Sequence, residues 1–147
     1  MNIKEEMIKF IRDASTVVGK PMIEGIDFDI VYQPLNHKPL QLPPGKMAVY
    51  TFYYNNQFLK IGQANIRSNA RYQSQHYSVK SARSTLAKSI LNDSSMKDIV
   101  GSVDIKKWIC TNCERFDVII DGEKHDKMTL NFVEGLLHYC YKPKYED

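Results

Sequence analysis

The chain has 147 residues, of which 43% are hydrophobic and 25% are charged, and its formal net charge is +3. This balance excludes the disordered and fibrous classes and predicts one globular domain that is long enough to bury a core. No stretch approaches the roughly 18 apolar residues of a membrane helix, and the first residues lack the apolar core of a signal peptide. We therefore expect a cytoplasmic protein that does not engage a membrane.

The first 45 residues carry the weakest pattern in the chain. Apolar residues recur at helical spacing between residues 2 and 14, which predicts a short amphipathic helix. Residues 15–45 are rich in proline and glycine and contain one strand-like run at 28–32. We expect this segment to pack as an irregular arm on the rest of the chain, or to bind a partner or substrate.

The pattern of residues 47–77 predicts a hairpin followed by a polar helix. Two β-rich runs, 47–53 and 58–62, flank Asn55-Asn56, and asparagine tolerates the positive φ that tight turns need. In the helix that follows, Arg67, Arg71 and Gln75 are four residues apart. We expect these three side chains to share one face.

The second half of the chain alternates helical and strand patterns. Residues 81–91 have helical spacing, and residues 103–109 fit a helix or a strand. Residues 115–120 predict a strand that ends at the turn Asp121-Gly122. Together the elements predict an α+β fold with a small, mainly antiparallel sheet of about three strands flanked by helices.

The last predicted helix begins near Asp126 or Thr129, either of which can cap its first turn. Apolar residues recur at helical spacing from residue 130 to residue 141. Glu134 lies beside this apolar stripe, so the helix presents one carboxylate next to its buried face.

Positive charge is concentrated in one part of the chain. Residues 46–88 contain seven basic residues and no acidic one, so the remainder of the +3 chain carries a net charge of −4. Such one-sided charge is typical of a surface that binds a polyanion such as nucleic acid, and a solvated basic face is the alternative. The seven residues are Lys46, Lys60, Arg67, Arg71, Lys80, Arg83 and Lys88.

Two short motifs on the predicted strands, Ala48-Val49-Tyr50 and Lys60-Ile61-Gly62, are followed by Arg71 on the predicted helix. Farther along, Glu134 lies on the last helix, and a Lys-Pro-Lys-Tyr segment follows it at 142–145. In this order and spacing the residues resemble the GIY-YIG nucleases, a family named after two strand motifs. The resemblance covers about residues 46–146. It implies a nuclease domain of residues 46–147 with a three-stranded antiparallel sheet, preceded by an N-terminal helix and arm over residues 1–45.

Three positions depart from the family pattern. Ala48 replaces the first glycine, Lys60 replaces the second tyrosine, and Glu146 stands where an asparagine usually lies. Alanine for glycine on a strand is a mild change, whereas the loss of tyrosine removes a hydroxyl from the expected site. Some family members carry lysine at that position, which keeps an active enzyme within the resemblance.

The resemblance implies a catalytic site for phosphodiester hydrolysis. Tyr50 would orient or deprotonate the attacking water, and because tyrosine titrates near about 10 it needs a neighbouring cation such as Lys60. Arg71 can present a planar fork to a phosphate. Glu134 is the candidate ligand of Mg²⁺ or Mn²⁺, since a hard cation takes carboxylate oxygen and keeps its waters. The structural alternatives are that Tyr50 is only a half-buried strand aromatic, that Lys60 is a solvated strand lysine, and that Glu134 is an exposed helix residue.

His76 is a further catalytic candidate, because it follows Arg71 by five residues and can serve as a general acid or a phosphate contact. A surface histidine is the alternative. Candidate substrate-binding residues combine phosphate-binding cations with one aromatic ring, and they are Arg67, Tyr72, Lys80 and Arg83.

The hairpin register decides whether Tyr50 and Lys60 can share a site. With a loop of Asn55-Asn56 alone, Tyr50 would pair with Ile61, and Lys60 would face the opposite side of the sheet. A shared site therefore needs a loop of odd length or a bulge. We predict a connection of three or five residues.

Three cysteines occur in the chain, and we expect reduced thiols. Cys110 and Cys113 form a Cys-x-x-Cys pair that His125 or Cys140 would have to complete as a zinc site. A second half-site with matching spacing is missing, so ordinary thiols are the favoured interpretation.

The leading hypothesis is a Mg²⁺- or Mn²⁺-dependent endonuclease that cuts DNA rather than RNA and acts as a monomer or a homodimer. The alternatives are an RNA-cleaving member of the family and a catalytically inactive nucleic-acid-binding module with the same fold. A protein-interaction role of residues 1–45 is the third hypothesis.

Overall fold

The protein has an α+β fold, which a computed structural model describes over residues 1–80 and 85–145. One four-stranded antiparallel sheet is flanked by helices on both faces. None of the helices within these ranges is long and apolar enough to cross a membrane. The elements are α1 Ile3–Val17, β1 Phe28–Gln33, β2 Lys46–Tyr54, β3 Gln57–Ala64, α2 Asn69–Gln73, α3 Leu86–Leu91, α4 Lys97–Val100, α5 Ile105–Asn112, β4 Arg115–Asp121 and α6 Lys127–Tyr141, with 3-10 helices at Gln75–Tyr77 and Ser94–Met96.

The sheet has the strand order β1-β4-β2-β3, with every neighbouring pair antiparallel. The prediction of an antiparallel sheet is confirmed, but the predicted number of three strands is wrong. The strand-like run in the N-terminal segment extends the sheet as β1, which pairs with β4 from Phe28 opposite Ile120 to Gln33 opposite Arg115. A short strand between proline-rich flanks gives little local pattern, so its place in the sheet depends on β4.

The two faces of the sheet are covered by different helices. One face, which we call the α6 face, presents Val49 and Ile61 to α6 and to the apolar stripe of α1. The other, which we call the Tyr50 face, presents Tyr50 and Phe52 to the helical segments between β3 and β4. Both α1 and β1 contribute buried residues to the first of these layers, so the N-terminal segment packs onto the core.

The hairpin between β2 and β3 contains a tight turn and a bulge. Asn55 and Asn56 have φ values of 50° and 61°, which is the backbone of a two-residue turn. Phe52 lies opposite Lys60 while its neighbour Tyr53 lies opposite Phe58, so one residue of β3 is left between the two pairs. The predicted connection of three or five residues is wrong, and the bulge restores the register that a shared site needs.

The polar helix after β3 is shorter than its pattern predicts. The Asn65 side chain accepts hydrogen bonds from the backbone N–H of Arg67 and the hydroxyl of Ser68, which forms a turn before α2 begins at Asn69. Arg67 is therefore outside the helix and does not share a helical face with Arg71. This corrects the prediction that Arg67, Arg71 and Gln75 form one row.

The later helices follow their sequence signals more closely. The run at 103–109 lies mostly in a helix, α5, which begins at Ile105. Asp126 caps α6 by accepting hydrogen bonds from the N–H groups of Met128 and Thr129. The helix predicted from residue 81 is observed as α3 from Leu86. Residues 81–84 lie outside the described residues.

Candidate active site

Tyr50 and His76 meet at the centre of the Tyr50 face. The Tyr50 hydroxyl lies 2.6 Å from Nε2 of His76, and the two ring centroids are 4.8 Å apart. The tyrosine ring passes over Gly62, its cross-strand partner, so closely that a Cβ at Gly62 would lie 2.3 Å from the hydroxyl oxygen. Glycine in the second motif is therefore required by the space that the Tyr50 ring occupies.

The hydrogen bonds of His76 define its tautomer. The backbone N–H of Leu86, at the start of α3, donates to Nδ1 over 3.1 Å. A neutral imidazole has one protonated nitrogen, so Nε2 carries the hydrogen and donates it to the Tyr50 oxygen. His76 thus acts on Tyr50 as a fixed hydrogen-bond donor.

His76 remains neutral because it is buried among positive charges. Burial, followed by the charges of Arg71, Lys60 and Arg115, lowers the pKa of His76 to about 2. At neutral pH the imidazole has no extra proton to donate, so the general-acid role suggested for it does not fit this environment. Its 1% exposure also contradicts the alternative of a surface histidine.

A histidine that stays neutral in the folded state makes the protein less stable in acid. The unfolded chain binds this proton near pH 6.5 and the folded chain does not, so the free energy of unfolding falls as the pH drops below that value. We expect the loss to approach about 1.4 kcal/mol per pH unit between about pH 6 and pH 5 for this one group. When the free energy of unfolding of His76→Gln is measured by urea denaturation at several pH values, it should fall less steeply with decreasing pH, by that amount per pH unit. If the free energy of unfolding depended equally on pH in the wild type and in His76→Gln, His76 would not resist protonation in the folded state.

Lys60 and Arg71 complete this cluster. Lys60 lies on the same face of β3 as Gly62 and is 1% exposed, while Tyr50 is 2% exposed. Arg71 is partly buried on α2, and its charge has a larger effect on the His76 pKa than that of Lys60. The fold thus gathers four of the five predicted catalytic residues on one side of the sheet.

Glu134 reaches β3 from the other side of the sheet. It lies on α6, which packs on the α6 face. Its Oε1 is 3.3 Å from the Nε2 of Gln63, and the same Nε2 donates to Oδ1 of Asn131 over 3.0 Å. One turn later, His138 contacts the backbone carbonyl of Ile61 at 2.8 Å. Glu134 is therefore separated from Tyr50 by strand β3, but it lies next to the residue that follows Gly62.

Glu134 supplies the carboxylate at this position. The Gln63 amide faces the Glu134 carboxylate with its Nε2, while its own buried Oε1 has no hydrogen-bond partner among the described residues. Mg²⁺ keeps several of its waters and needs only one or two protein oxygens. Within residues 1–80 and 85–145, no group of three or more His, Cys, Asp or Glu side chains is placed to hold a metal ion.

The three cysteines are free thiols. Cys110 and Cys140 are half-buried free thiols, and Cys113 is fully buried. His125, the proposed partner of the Cys-x-x-Cys pair, instead approaches Oδ1 of Asp27 at 3.0 Å. Burial raises the pKa of Cys113 to about 12, so its thiol stays protonated.

The predicted substrate-binding residues lie in different environments. Arg67 and Lys80 are exposed, as a phosphate contact requires. Tyr72 is buried and donates its hydroxyl to Oδ2 of Asp117 over 3.0 Å, so in this structure its side chain faces the core and not a substrate surface. Its side chain is oriented by a buried carboxylate that only the fold brings near. Arg83 lies outside the described residues.

Sequence reasoning missed the buried ion pair of β4. Nε of Arg115 and Oδ2 of Asp117 are 3.2 Å apart, and neither side chain has any exposed surface. The alternation of Arg115, Phe116, Asp117 and Val118 along one strand was the available signal, because two charges on one face of a central strand must be paired.

Sequence reasoning named the Lys-Pro-Lys-Tyr segment 142–145 but missed its contacts; we call this segment the C-terminal strap. The backbone N–H groups of Lys144 and Tyr145 donate to the carbonyls of Phe58 and Leu59 on the free edge of β3. The Tyr145 hydroxyl donates to Asp93 over 2.6 Å, and this bond is the largest cause that lowers the pKa of Asp93. The Tyr145 ring packs against the apolar cluster that contains Tyr50. The strap therefore covers the strand edge next to Lys60.

In comparisons with known proteins, no protein family, no curated protein and no solved structure matches this chain.

Proposed function

We propose that the protein is a metal-dependent endonuclease of the GIY-YIG type that hydrolyses phosphodiester bonds in DNA. The observation that carries the proposal is the 2.6 Å contact in which His76 donates to the Tyr50 hydroxyl, beside the charges of Lys60 and Arg71. A tyrosine in such surroundings is suited to act as a base. The two strand motifs that resemble the family supply both Tyr50 and Lys60.

Each residue then has a definite role in the reaction. The Tyr50 phenolate accepts a proton from water, the water oxygen attacks the phosphorus, and the bond from phosphorus to the leaving oxygen breaks. The leaving oxygen takes a proton from solvent. His76 and Lys60 stabilise the phenolate, and Arg71 binds the negative charge that develops on the phosphate. Glu134, on the other side of β3 from Tyr50, would hold Mg²⁺ or Mn²⁺, whose positive charge would bind the nucleic-acid backbone next to the reacting phosphate.

Substrate access requires a local opening. Tyr50, Lys60 and His76 are at most 2% exposed, whereas Arg71 and Glu134 retain partial exposure. We expect the backbone of the nucleic acid to meet Arg71 and Glu134 first, and a shift of the C-terminal strap to admit the phosphate to Tyr50. The exposed cations Arg67 and Lys80 extend the contact, in line with the charge of residues 46–88.

The experiment that tests the proposal compares the wild type with Glu134→Gln on duplex DNA, single-stranded DNA and RNA, with and without Mg²⁺, at low salt. We expect cleavage of DNA by the wild type that chelator abolishes, and a loss of at least about 100-fold in Glu134→Gln. Glu123→Gln is the matched control, because Glu123 is an exposed carboxylate in the turn before α6. It should cleave at the wild-type rate.

Two other outcomes of this experiment would change the assignment. Cleavage of RNA alone would make the protein an RNA-cleaving nuclease. Salt-dependent binding without cleavage under any condition would favour the inactive nucleic-acid-binding module. Two observations already support that alternative: Tyr50 is buried, and Lys60 stands where the family has a tyrosine. No affinity for nucleic acid at physiological salt would leave the protein-interaction hypothesis.

A further inference from the structure

The segment that carries Arg71 and His76 has little structure of its own. It consists of the five-residue helix α2 and the 3-10 helix Gln75–Tyr77, and neither has a side-chain hydrogen bond at its N-cap. Helices of this length are not stable by themselves in water. Something outside the segment must therefore hold Arg71 and His76 at the Tyr50 ring.

The contacts of β4 identify the support. Nη1 of Arg115 donates to the backbone carbonyl of Tyr72 over 3.3 Å and to the hydroxyl of Tyr77 over 3.1 Å, so one guanidinium binds both helical pieces. Asp117 accepts the hydroxyl of Tyr72 over 3.0 Å. The guanidinium is also stacked between two rings, at 4.5 Å from Phe52 and 4.8 Å from Tyr72. Because β4 lies between β1 and β2 in the sheet, these contacts tie the segment to a strand with neighbours on both sides.

The residues that contact β4 are the direct sequence neighbours of the residues of the candidate site. Tyr72 and Tyr77 follow Arg71 and His76 directly, and their side chains turn to the ion pair, whereas His76 contacts Tyr50. The hydroxyl of Tyr77 has a single orientation. It accepts from Arg115 and donates to Nε2 of His37 at 2.7 Å, because Nδ1 of His37 donates to the carbonyl of Cys113.

We propose that Arg115 and Asp117, acting through Tyr72 and Tyr77, are positioning residues that set Arg71 and His76 against Tyr50. The proposal rests on the proposed function for its catalytic meaning. A buried ion pair adds less stability than a well-packed apolar pair of the same size. Its use here is geometric, since a guanidinium with several fixed donors binds two separate pieces of chain in one arrangement.

The test removes one hydroxyl from this network and reads the state of His76 directly. In Tyr77→Phe the ring is kept and its bonds to Arg115 and His37 are lost. The imidazole ¹⁵N shifts of His76 at neutral pH report its tautomer. We expect the wild type to show the Nε2-protonated form alone and Tyr77→Phe to show a mixture of tautomers, together with a fall in kcat of at least about 10-fold at a KM within about 2-fold. Tyr139→Phe, which removes an exposed hydroxyl, is the control and should match the wild type in both readouts.

Unchanged ¹⁵N shifts of His76 in Tyr77→Phe would overturn the proposal. Tyr72→Phe, which loses only the bond to Asp117, gives the same test if Tyr77→Phe does not fold. The NMR readout separates the two proposals. A wild type that cleaves no substrate would refute the nuclease function, while the tautomer comparison would still decide whether β4 positions His76.

Discussion

Tyr50→Phe is expected to cleave DNA at least about 100-fold more slowly than the wild type, because it removes the group that takes the proton from water. The ring remains and still packs against Phe52, so the fold should be kept. Nε2–H of His76 loses its buried acceptor, which costs roughly 1–3 kcal/mol of stability. Single-turnover cleavage rates and urea denaturation of the same preparations measure both effects.

The matched control for this variant is Tyr53→Phe. Tyr53 lies on the same strand, but its ring packs with the cluster on the α6 face. Its hydroxyl is remote from His76, so cleavage should stay at the wild-type rate. If Tyr50→Phe retained full activity, Tyr50 would be a packing residue and the catalytic base would have to be sought elsewhere.

Gly62→Ala is expected to abolish cleavage to a similar extent without changing any polar group. The new Cβ would lie 2.3 Å from the Tyr50 hydroxyl and 2.5 Å from Cζ of the ring, which is closer than atoms can approach. The ring must therefore move, and its 2.6 Å contact with His76 is lost. Overpacking of this kind costs typically about 1–3 kcal/mol.

Gly135→Ala provides the control for the same chemical change. A Cβ at Gly135 meets no atom within 4 Å, although the residue is the neighbour of Glu134 on α6. We expect normal cleavage and a stability gain of roughly 0.5–1 kcal/mol, since alanine is the better helix former. Wild-type activity in Gly62→Ala would mean that the observed position of the Tyr50 ring is not the one that catalysis requires.

These two variants separate the hydroxyl of Tyr50 from its position. Tyr50→Phe removes the proton acceptor and keeps the ring in place, whereas Gly62→Ala keeps the acceptor and displaces it. Loss of activity in both variants would show that cleavage needs the Tyr50 hydroxyl and also needs it in the position that the hairpin gives it. Loss in Tyr50→Phe alone would show that the ring tolerates displacement.

Local sequence patterns determined much of the framework. The β2–β3 hairpin, its Asn55-Asn56 turn and the capped helix α6 are all observed, because strand alternation, positive-φ asparagines and an Asp126 cap act over a few residues. The choice of Tyr50 and Lys60 as a pair also followed from the sequence, through the two motifs. What the patterns could not determine was which face each of these side chains occupies.

The tertiary structure decided the arrangement of the site. A single extra residue in β3 reverses the faces of all residues beyond it, and no local pattern marked that bulge. Tyr72 was directed into the core rather than to substrate by Asp117, which is 45 residues away in sequence. Neutral His76 likewise depends first on burial and then on the charge of nearby Arg71 and the charges of Lys60 and Arg115 on two other strands. Short-range patterns specify helices, strands and turns. The burial of a side chain and the charged groups around it depend on residues that are distant in sequence, so only the fold could reveal them.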